Sequence, residues 1–283
     1  MNIVIAGITG FLGQRIKEYY KSKENAVFDY KKKIPRKIDL LINVAGPNSK
    51  YCDKYPKKAI EQRIEINKKI LEIIKNEYVK NYIHISTIHV YKKKKSIDEK
   101  SNLNHNNAYS KSHIESEKFI MQKISKLCCT RILRVSNCFG YSRNNNCNSW
   151  NLVINNIVKN IFLKKKILIR SKENFYRDYI SVYYLIYFIN IILKQKVKYK
   201  ILNVSSNQPK LLSSISNDLS NIYLKRFKKK IDIQSNFNST GKINKISCKI
   251  YNKKLNEVCQ KLYYKELTDL VNFCYKNQIK LTQ

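Results

Sequence analysis

Glycine is scarce in this chain: six occur in 283 residues, beside four prolines. No Cys-x-x-Cys pair exists among the eight cysteines, and none of them stands at metal-ligand spacing from His84, His89, His105 or His113. That excludes the usual metal patterns, so no metal is expected and reduced, mostly packed thiols in a cytoplasm are the economical reading. Long apolar runs are missing too. The longest uncharged stretch, residues 179–193, includes Asn190 and is shorter than the roughly 20 residues that cross a bilayer. A buried strand and helix is expected there, with no membrane span. The chain opens on its first strand, so no leader is expected before it. Acids are few: 20 against 56 lysines and arginines, a formal charge of +36. Lysines recur at 31–33, 92–95, 164–166 and 228–230, with much Asn, Ile and Tyr and little Ala. All of these biases follow from AT-rich codons, which is preferred here to a selected polyanion-binding surface. No DNA- or RNA-binding module is visible, and nucleic acid is not the expected partner.

Three of the six glycines fall at Gly7, Gly10 and Gly13, directly after the apolar run 3–6 and ahead of a helical stretch at 14–21. A dinucleotide pyrophosphate needs a tight turn, a bare backbone and a helix N-terminus at one point; a Cβ there would hold the phosphates away. With glycine so rare elsewhere, that ligand explains the spacing better than a plain turn at positive φ. Asp29 closes the next strand run, sixteen residues after Gly13. An acid there accepts hydrogen bonds from both adenosine ribose hydroxyls, which favours NAD. Lys31, Lys32 and Lys33 follow at once and suit a 2′-phosphate, so NADP stays open.

Apolar runs of strand length recur at 26–28, 40–44, 82–85 and 130–135, with helical patterns at 59–75 and 109–126. Ile60, Ile64, Ile70, Leu71 and Ile74 mark the apolar face of the first of these helices. The alternation predicts an α/β fold, a doubly wound parallel sheet covered on both faces. Past Gly140 the pattern loosens, with a polar loop at 143–149 and an irregular basic and polar stretch at 225–245. The expected division is a dinucleotide-binding core over 1–150 with a returning segment at 175–205, and a small, mainly substrate-binding lobe over 151–283.

The chemistry gathers after the fourth strand. His84-Ile85-Ser86-Thr87-Ile88-His89-Val90-Tyr91 closes it, and Tyr109 follows Thr87 by 22 residues, at a helix start. A hydroxyl at a strand's end beside a helix-borne tyrosine suits carbonyl and alcohol chemistry: one positions the oxygen, the other moves its proton. Leu41-Ile42-Asn43-Val44-Ala45-Gly46 and Asn67 precede or flank this pair in order. Leu133-Arg134-Val135-Ser136-Asn137-Cys138-Phe139-Gly140, Arg177-Asp178-Tyr179-Ile180-Ser181-Val182 and Asn203-Val204-Ser205-Ser206 follow it. Through these segments, over nearly its whole length, the chain resembles the extended short-chain dehydrogenase/reductases, the NAD-dependent epimerase/dehydratase family that acts on nucleotide sugars.

The resemblance implies a Rossmann core with Thr87 as the catalytic Ser/Thr, Tyr109 as the acid/base, and His113 at the third catalytic position. It implies cofactor contacts from Gly7, Gly10, Phe11, Leu12 and Gly13, from Asp29, from Ala45 and Gly46, and from Tyr109 and His113. Substrate contacts fall to Ser86, Asn137 and Arg177, with Asn151 a further candidate. The implied function is NAD(P)-dependent 4-epimerase-type chemistry on a nucleotide-activated sugar, in cell-surface polysaccharide biosynthesis, with a 4-keto-sugar reductase as the alternative. A homodimer paired through the helices at 59–75 and 109–126 is implied as well.

One departure bears on catalysis. The family's tyrosine is followed four residues later by lysine, and here that position is His113; Lys111 projects from another helix face. A fixed positive charge about 6 Å from the phenol, at an effective dielectric near 20, is worth about 2.8 kcal/mol, or about two pKa units. A histidine at its reference value near 6.5 carries only about a quarter of a charge at pH 7. Two readings stay open. Either the ring still hydrogen-bonds the nicotinamide ribose while the oxidised cofactor's own charge acidifies Tyr109, or the protein binds cofactor without turnover. Lys92 replaces a glycine common in the family, and Ile88-His89 replaces the Asp-Glu pair of dehydratases, which ranks dehydratase chemistry lower. His89 is expected to pack at the strand end rather than serve as an auxiliary acid, and Trp150 to anchor the second lobe rather than stack on a base.

Overall fold

The computed structural model describes residues 1–92, 94–142, 149–195, 197–243 and 245–277; Cys147 and positions 143–148 of the expected polar loop lie outside them. Six strands form one sheet: β1 (Asn2–Ala6), β2 (Ala26–Asp29), β3 (Leu40–Asn43), β4 (Asn81–Thr87), β5 (Cys129–Val135) and β6 (Ile201–Val204). Their order is β6-β5-β4-β3-β1-β2, parallel at every pairing. Strands β1 and β3 are apolar without alternation, as burial on both faces requires: Ile3, Val4, Ile5, Leu41 and Ile42 are all solvent-inaccessible. Register aligns the carboxyl ends, with Ala6 opposite Asn43 and Asn43 opposite His84. The chain leaves β1 for β2 on one side and returns to β3 on the other. The switch point of this doubly wound sheet therefore lies between β1 and β3.

Helix α1 (Phe11–Lys21) follows the glycine turn, and α2 (Ser49–Lys54) starts where the Asn48 side chain accepts from Tyr51 N at 2.9 Å. Helix α3 (Pro56–Asn76) begins on proline, whose missing N–H costs nothing in a first turn. It buries Ala59, Arg63, Asn67, Ile70 and Ile74, whereas Ile60, Ile64 and Leu71 are only partly covered. The inward stripe therefore carries an arginine and an asparagine among its apolar residues. Helix α4 (Ala108–Phe119) is capped by Asn107, which accepts from Ser110 N at 2.7 Å, and runs into a π-helical turn, Ile120–Ile124.

By contacts the chain divides into two compact units of nearly equal length: residues 1–93, 98–135 and 195–204, and residues 94–97, 136–194 and 205–283. The second is larger than the small lobe its loose pattern suggested. Segments 136–150 and 175–194 group with it, because Asn137–Phe139 pairs in parallel with Tyr179–Ser181. Its helices are α5 (Val153–Lys164), α6 (Val182–Lys194), α7 (Leu212–Phe227) and α8 (Lys253–Lys276). Helices α5 and α7 end on Lys165 (φ 55°) and Lys228 (φ 57°), both left-handed. Ile157, Ile161, Leu219, Leu267 and Leu270 share a core with Phe139 and Tyr263. Trp150 stacks on Phe273 with ring centroids 6.5 Å apart, the packing role expected of it. No helix among the described residues is long and apolar enough to cross a membrane.

Candidate active site

At the switch point the two loops touch. Gly7 has φ 88°, and a Cβ on it would stand 2.8 Å from Ala45 N, so the β1 turn and the loop after β3 close on each other only without a side chain. A Cβ on Gly13 would collide with the Gly7 carbonyl, so helix α1 packs directly on the turn. Gly10 N donates to Gly7 O at 3.0 Å and caps α1 without a side chain, and no acid sits in the helix's first turn. Phe11 and Leu12 open that helix and are partly buried. The result is a helix N-terminus with bare amides, a surface that favours an anion. Asp29 ends β2 beside Ile5; one carboxylate oxygen accepts from Lys31 N at 3.1 Å, and Lys31, Lys32 and Lys33 are exposed.

Two strands away, Thr87 ends β4 and is buried, accepting from His89 N at 3.3 Å, and its hydroxyl stands near enough to the Tyr109 phenol to favour the phenolate. Tyr109 lies in the first turn of α4, with its ring edge-on to His113 at 4.7 Å and to His89 at 6.2 Å. Thus the structure brings together Thr87, Tyr109 and His113. Burial pushes the Tyr109 phenol above its ordinary value; the Arg63 charge and, to a smaller extent, the nearby Thr87 hydroxyl pull it back, while neighbouring Cys52 adds to the rise.

His113 is 4% exposed. Burial, with Arg63, His84 and His89 nearby, holds it well below the usual histidine value. It is neutral at pH 7, which corrects the quarter charge expected from its reference value. Its orientation comes from a short chain of contacts. Ser86 Oγ donates to Glu117 Oε1 at 2.5 Å and lies 3.5 Å from His113 Nδ1. That order puts the ring hydrogen on Nδ1 and leaves Nε2 as an acceptor, and Nε2 is buried with no partner. Ser86, expected to touch substrate, is buried, with its hydroxyl proton directed to Glu117 and its oxygen beside His113.

Glu117 pairs with Arg134 at 2.6 Å, both nearly inaccessible, and Arg134 reaches Tyr91, whose hydroxyl donates to Asn203 at 2.6 Å. Asn67, Asn43, Ser116 and His84 form a second polar seam: Asn67 Nδ2 donates to Ser116 Oγ at 2.8 Å, and Ser116 Oγ lies 3.3 Å from His84 Nε2. Burial and Arg63 push His84 down to about 3. His89 does not pack at the strand end; it is exposed, and its edge faces Tyr109. Lys111 is exposed, as the helix spacing required.

The remaining expected contacts belong to the second unit. Asn137 donates to Asp178 O at 2.8 Å, Asn151 is exposed on a short turn, and exposed Arg177 lies over the Phe175 ring at 4.1 Å. Asp178 is buried and accepts from Ser206 N and Oγ at 3.0 and 2.7 Å, with burial raising its carboxyl value. Among the described residues no group of side chains could hold a metal ion.

The family model described as "NAD dependent epimerase/dehydratase family" matches residues 23–205, well over half of the chain. The chain belongs to this family. No curated protein matches it in sequence. Solved structures share the epimerase/dehydratase fold along their whole length. RMD from Pseudomonas aeruginosa, complexed with NADPH, superposes with a TM-score of 0.74 at 15% identity, covering 96% of this chain and 97% of that one. UDP-glucose 4-epimerase from Thermotoga maritima, with UDP-glucose, gives 0.73 at 14%, covering 98% and 100%. UDP-N-acetylglucosamine 4-epimerase from Methanobrevibacter ruminantium, in complex with UDP-N-acetylmuramic acid, gives 0.72 at 16%, covering 98% of each. The family match begins beyond the glycine turn, so the anion-binding geometry there stands on the structure by itself.

Sequence reasoning missed Arg63, Glu117 and Arg134. For Arg63 a signal was present: it lies four residues from both Ala59 and Asn67, on the inward stripe of α3.

Proposed function

We propose that this chain is an NAD(P)-dependent enzyme acting on a nucleotide-activated sugar by 4-epimerase-type chemistry. One observation carries the reading: Tyr109, with Thr87 beside its phenol, lies edge-on to His113, whose buried Nε2 has no partner, on the sheet whose first turn is closed around Gly7 and Gly13. The residues fit a nicotinamide dinucleotide. The bare start of α1 suits its pyrophosphate, Asp29 an adenosine ribose, and His113 Nε2 a ribose hydroxyl. When bound, that cofactor supplies the hydride acceptor and donor. The remaining work falls to the protein's own side chains. Thr87 holds the sugar 4-oxygen by hydrogen bond, and Tyr109 takes the 4-hydroxyl proton on oxidation and returns it on reduction. The same phenol would serve a 4-keto-sugar reductase. The two UDP-sugar epimerases of like fold favour the epimerase; Asp29 favours NAD, with NADP open because of Lys31, Lys32 and Lys33. Asn137, Asn151 and Arg177 are proposed contacts for the nucleotide portion, and a product of this kind suits consumption in cell-surface polysaccharide assembly. Exposed His89 is a candidate second proton carrier.

Turnover across a panel of UDP- and other nucleotide-hexoses with both nicotinamides tests the reading. Tyr109→Phe is expected to lower kcat about 10³-fold while cofactor binding persists. Cofactor binding with no turnover on any sugar would instead establish the silent-binder alternative, which the neutral His113 in the lysine position favours.

A further inference from the structure

His113 deprives Tyr109 of the lysine charge that the family resemblance implies, and burial of the phenol makes that loss heavier. A different cation stands beside it. Arg63 on α3 is 5% exposed, and its guanidinium carbon lies 5.8 Å from the centroid of the Tyr109 ring. Nε donates to Ser112 Oγ at 3.0 Å and Nη2 to Pro47 O at 2.8 Å. Both acceptors are neutral, and among the described residues no carboxylate pairs with the guanidinium. Gly46 makes the space for it, because a Cβ at that position would collide with Nη1. Two hydrogen bonds and a missing side chain thus fix a buried charge at the phenol without neutralising it. A buried arginine lacking an acid partner is costly to a fold, so its persistence here asks for a use.

We propose that Arg63 stands in for the missing lysine, supplying from α3 the fixed positive charge that favours the Tyr109 anion. The inference rests on Tyr109 being the proton-transfer group. Arg63 acts through the phenol and is a positioning residue in that sense. The groups that face Tyr109 are Thr87 from β4, His89 from the turn after it, Cys52 from α2, Arg63 from α3, and His113 from its own helix, with His84 behind. Arg63 alone among these is a permanent cation, since a guanidinium does not deprotonate in proteins while burial keeps His113 and His84 neutral. A unit charge about 6 Å from a phenol oxygen, at an effective dielectric near 20, lowers its midpoint by about two pH units; the Arg63 guanidinium carbon stands at that order of distance from the ring centroid. The functional arrangement is then conserved in charge while the helix that carries it has changed.

The test needs no substrate. A fluorinated tyrosine placed at position 109 has a more acidic phenol, titrates where the protein stays folded, and is resolved by fluorine NMR from the other tyrosines. Its midpoint is compared in the full chain with Arg63 intact, with Arg63→Gln, with Arg63→Met and with Arg63→Lys. Met removes the charge and fills the space with an apolar chain, the exchange a buried site tolerates best; Gln keeps one amide donor for Pro47. The expected result is a midpoint raised by about one to two pH units in either charge-removing variant and restored in large part by Arg63→Lys. A midpoint unmoved in whichever of the two folds, or moved equally by Arg63→Lys, overturns the inference. Absence of turnover on all sugars together with a shifted midpoint would sink the proposed enzyme function while leaving the Arg63–Tyr109 coupling intact. Turnover lost in Tyr109→Phe with an unmoved midpoint would do the reverse.

Discussion

Helices α4 and α6 are almost equal in length, 12 and 13 residues, and each buries one face, yet the two faces share almost no chemistry. Helix α6 buries Val182, Tyr184, Leu185, Ile186, Phe188, Ile189 and Ile192. Helix α4 buries Ser110, Ser112, His113, Ile114, Ser116 and Glu117. Apolar contact is non-directional, so α6 gains its stability mainly from buried area, with Tyr183 Oη donating to Asp269 Oδ2 at 2.8 Å on its less buried side. Helix α4 is held by aimed bonds: Ser110 Oγ to His89 O at 2.6 Å, Ser112 to Arg63, Ser116 to Asn67, Glu117 to Arg134. Such bonds define one rotation and one height for the helix, and with them the position of Tyr109 against Thr87. The lesson is a division of labour. One unit carries an aromatic and aliphatic core, and the other carries a polar seam whose value lies in placement.

That contrast is open to attack from either side. The largest effect is expected in α6, where Phe188→Ala removes a fully buried ring and lowers unfolding free energy by about 3–5 kcal/mol in urea titrations, with no rescue from any single partner. In α4, Glu117→Gln strands the buried Arg134 charge and costs about 3 kcal/mol, and adding Arg134→Met recovers most of that loss because the charge disappears with its partner. A double variant no more stable than the single one would put the seam's stability elsewhere. A smaller effect is acid sensitivity. The folded state holds His84 at about 3, far below the roughly 6.5 of an unfolded histidine, so the unfolded chain binds a proton that the folded chain refuses. Stability is complete above about pH 7 and falls as pH drops toward 3; between pH 7 and pH 5 the His84 ring costs about 2 kcal/mol. His113, lowered for the same cause, adds to it, and urea midpoints at the two pH values report the sum. A flat profile would mean that the seam's imidazoles are not held neutral.

The sheet was legible because strand-length apolar runs and the glycine spacing are local signals, and so was the Thr87–Tyr109 pair, carried on two neighbouring segments. Arg63 was not. The apolar face of α3 had been traced through isoleucine and leucine alone, and the stripe that turns inward, 59-63-67-70-74, has polar residues at two of its positions. A charged residue on a helix's buried spacing is the signal to look for. The size of the second unit was hidden for another reason: its pairings join short segments far apart in the chain, such as Ser96–Ile97 with Lys245–Ile246, which no local periodicity announces. His89 was misplaced because the strand ends at Thr87 and a tight turn, Ile88–Val90, follows, on which His89 is exposed while Val90 is buried.

Lys165 and Lys228 close α5 and α7 in a left-handed geometry that most chains assign to glycine, and Glu24 and Asn207 hold it elsewhere. Torsional discomfort of this kind costs about 1 kcal/mol, so Lys165→Gly or Lys228→Gly is expected to raise the melting temperature slightly, the mildest change anticipated for this protein. At Gly7 and Gly13 an extra carbon has nowhere to go. The chain's bends thus fall into two kinds: the smallest amino acid is absent where a side chain is merely uncomfortable and present where atoms would overlap.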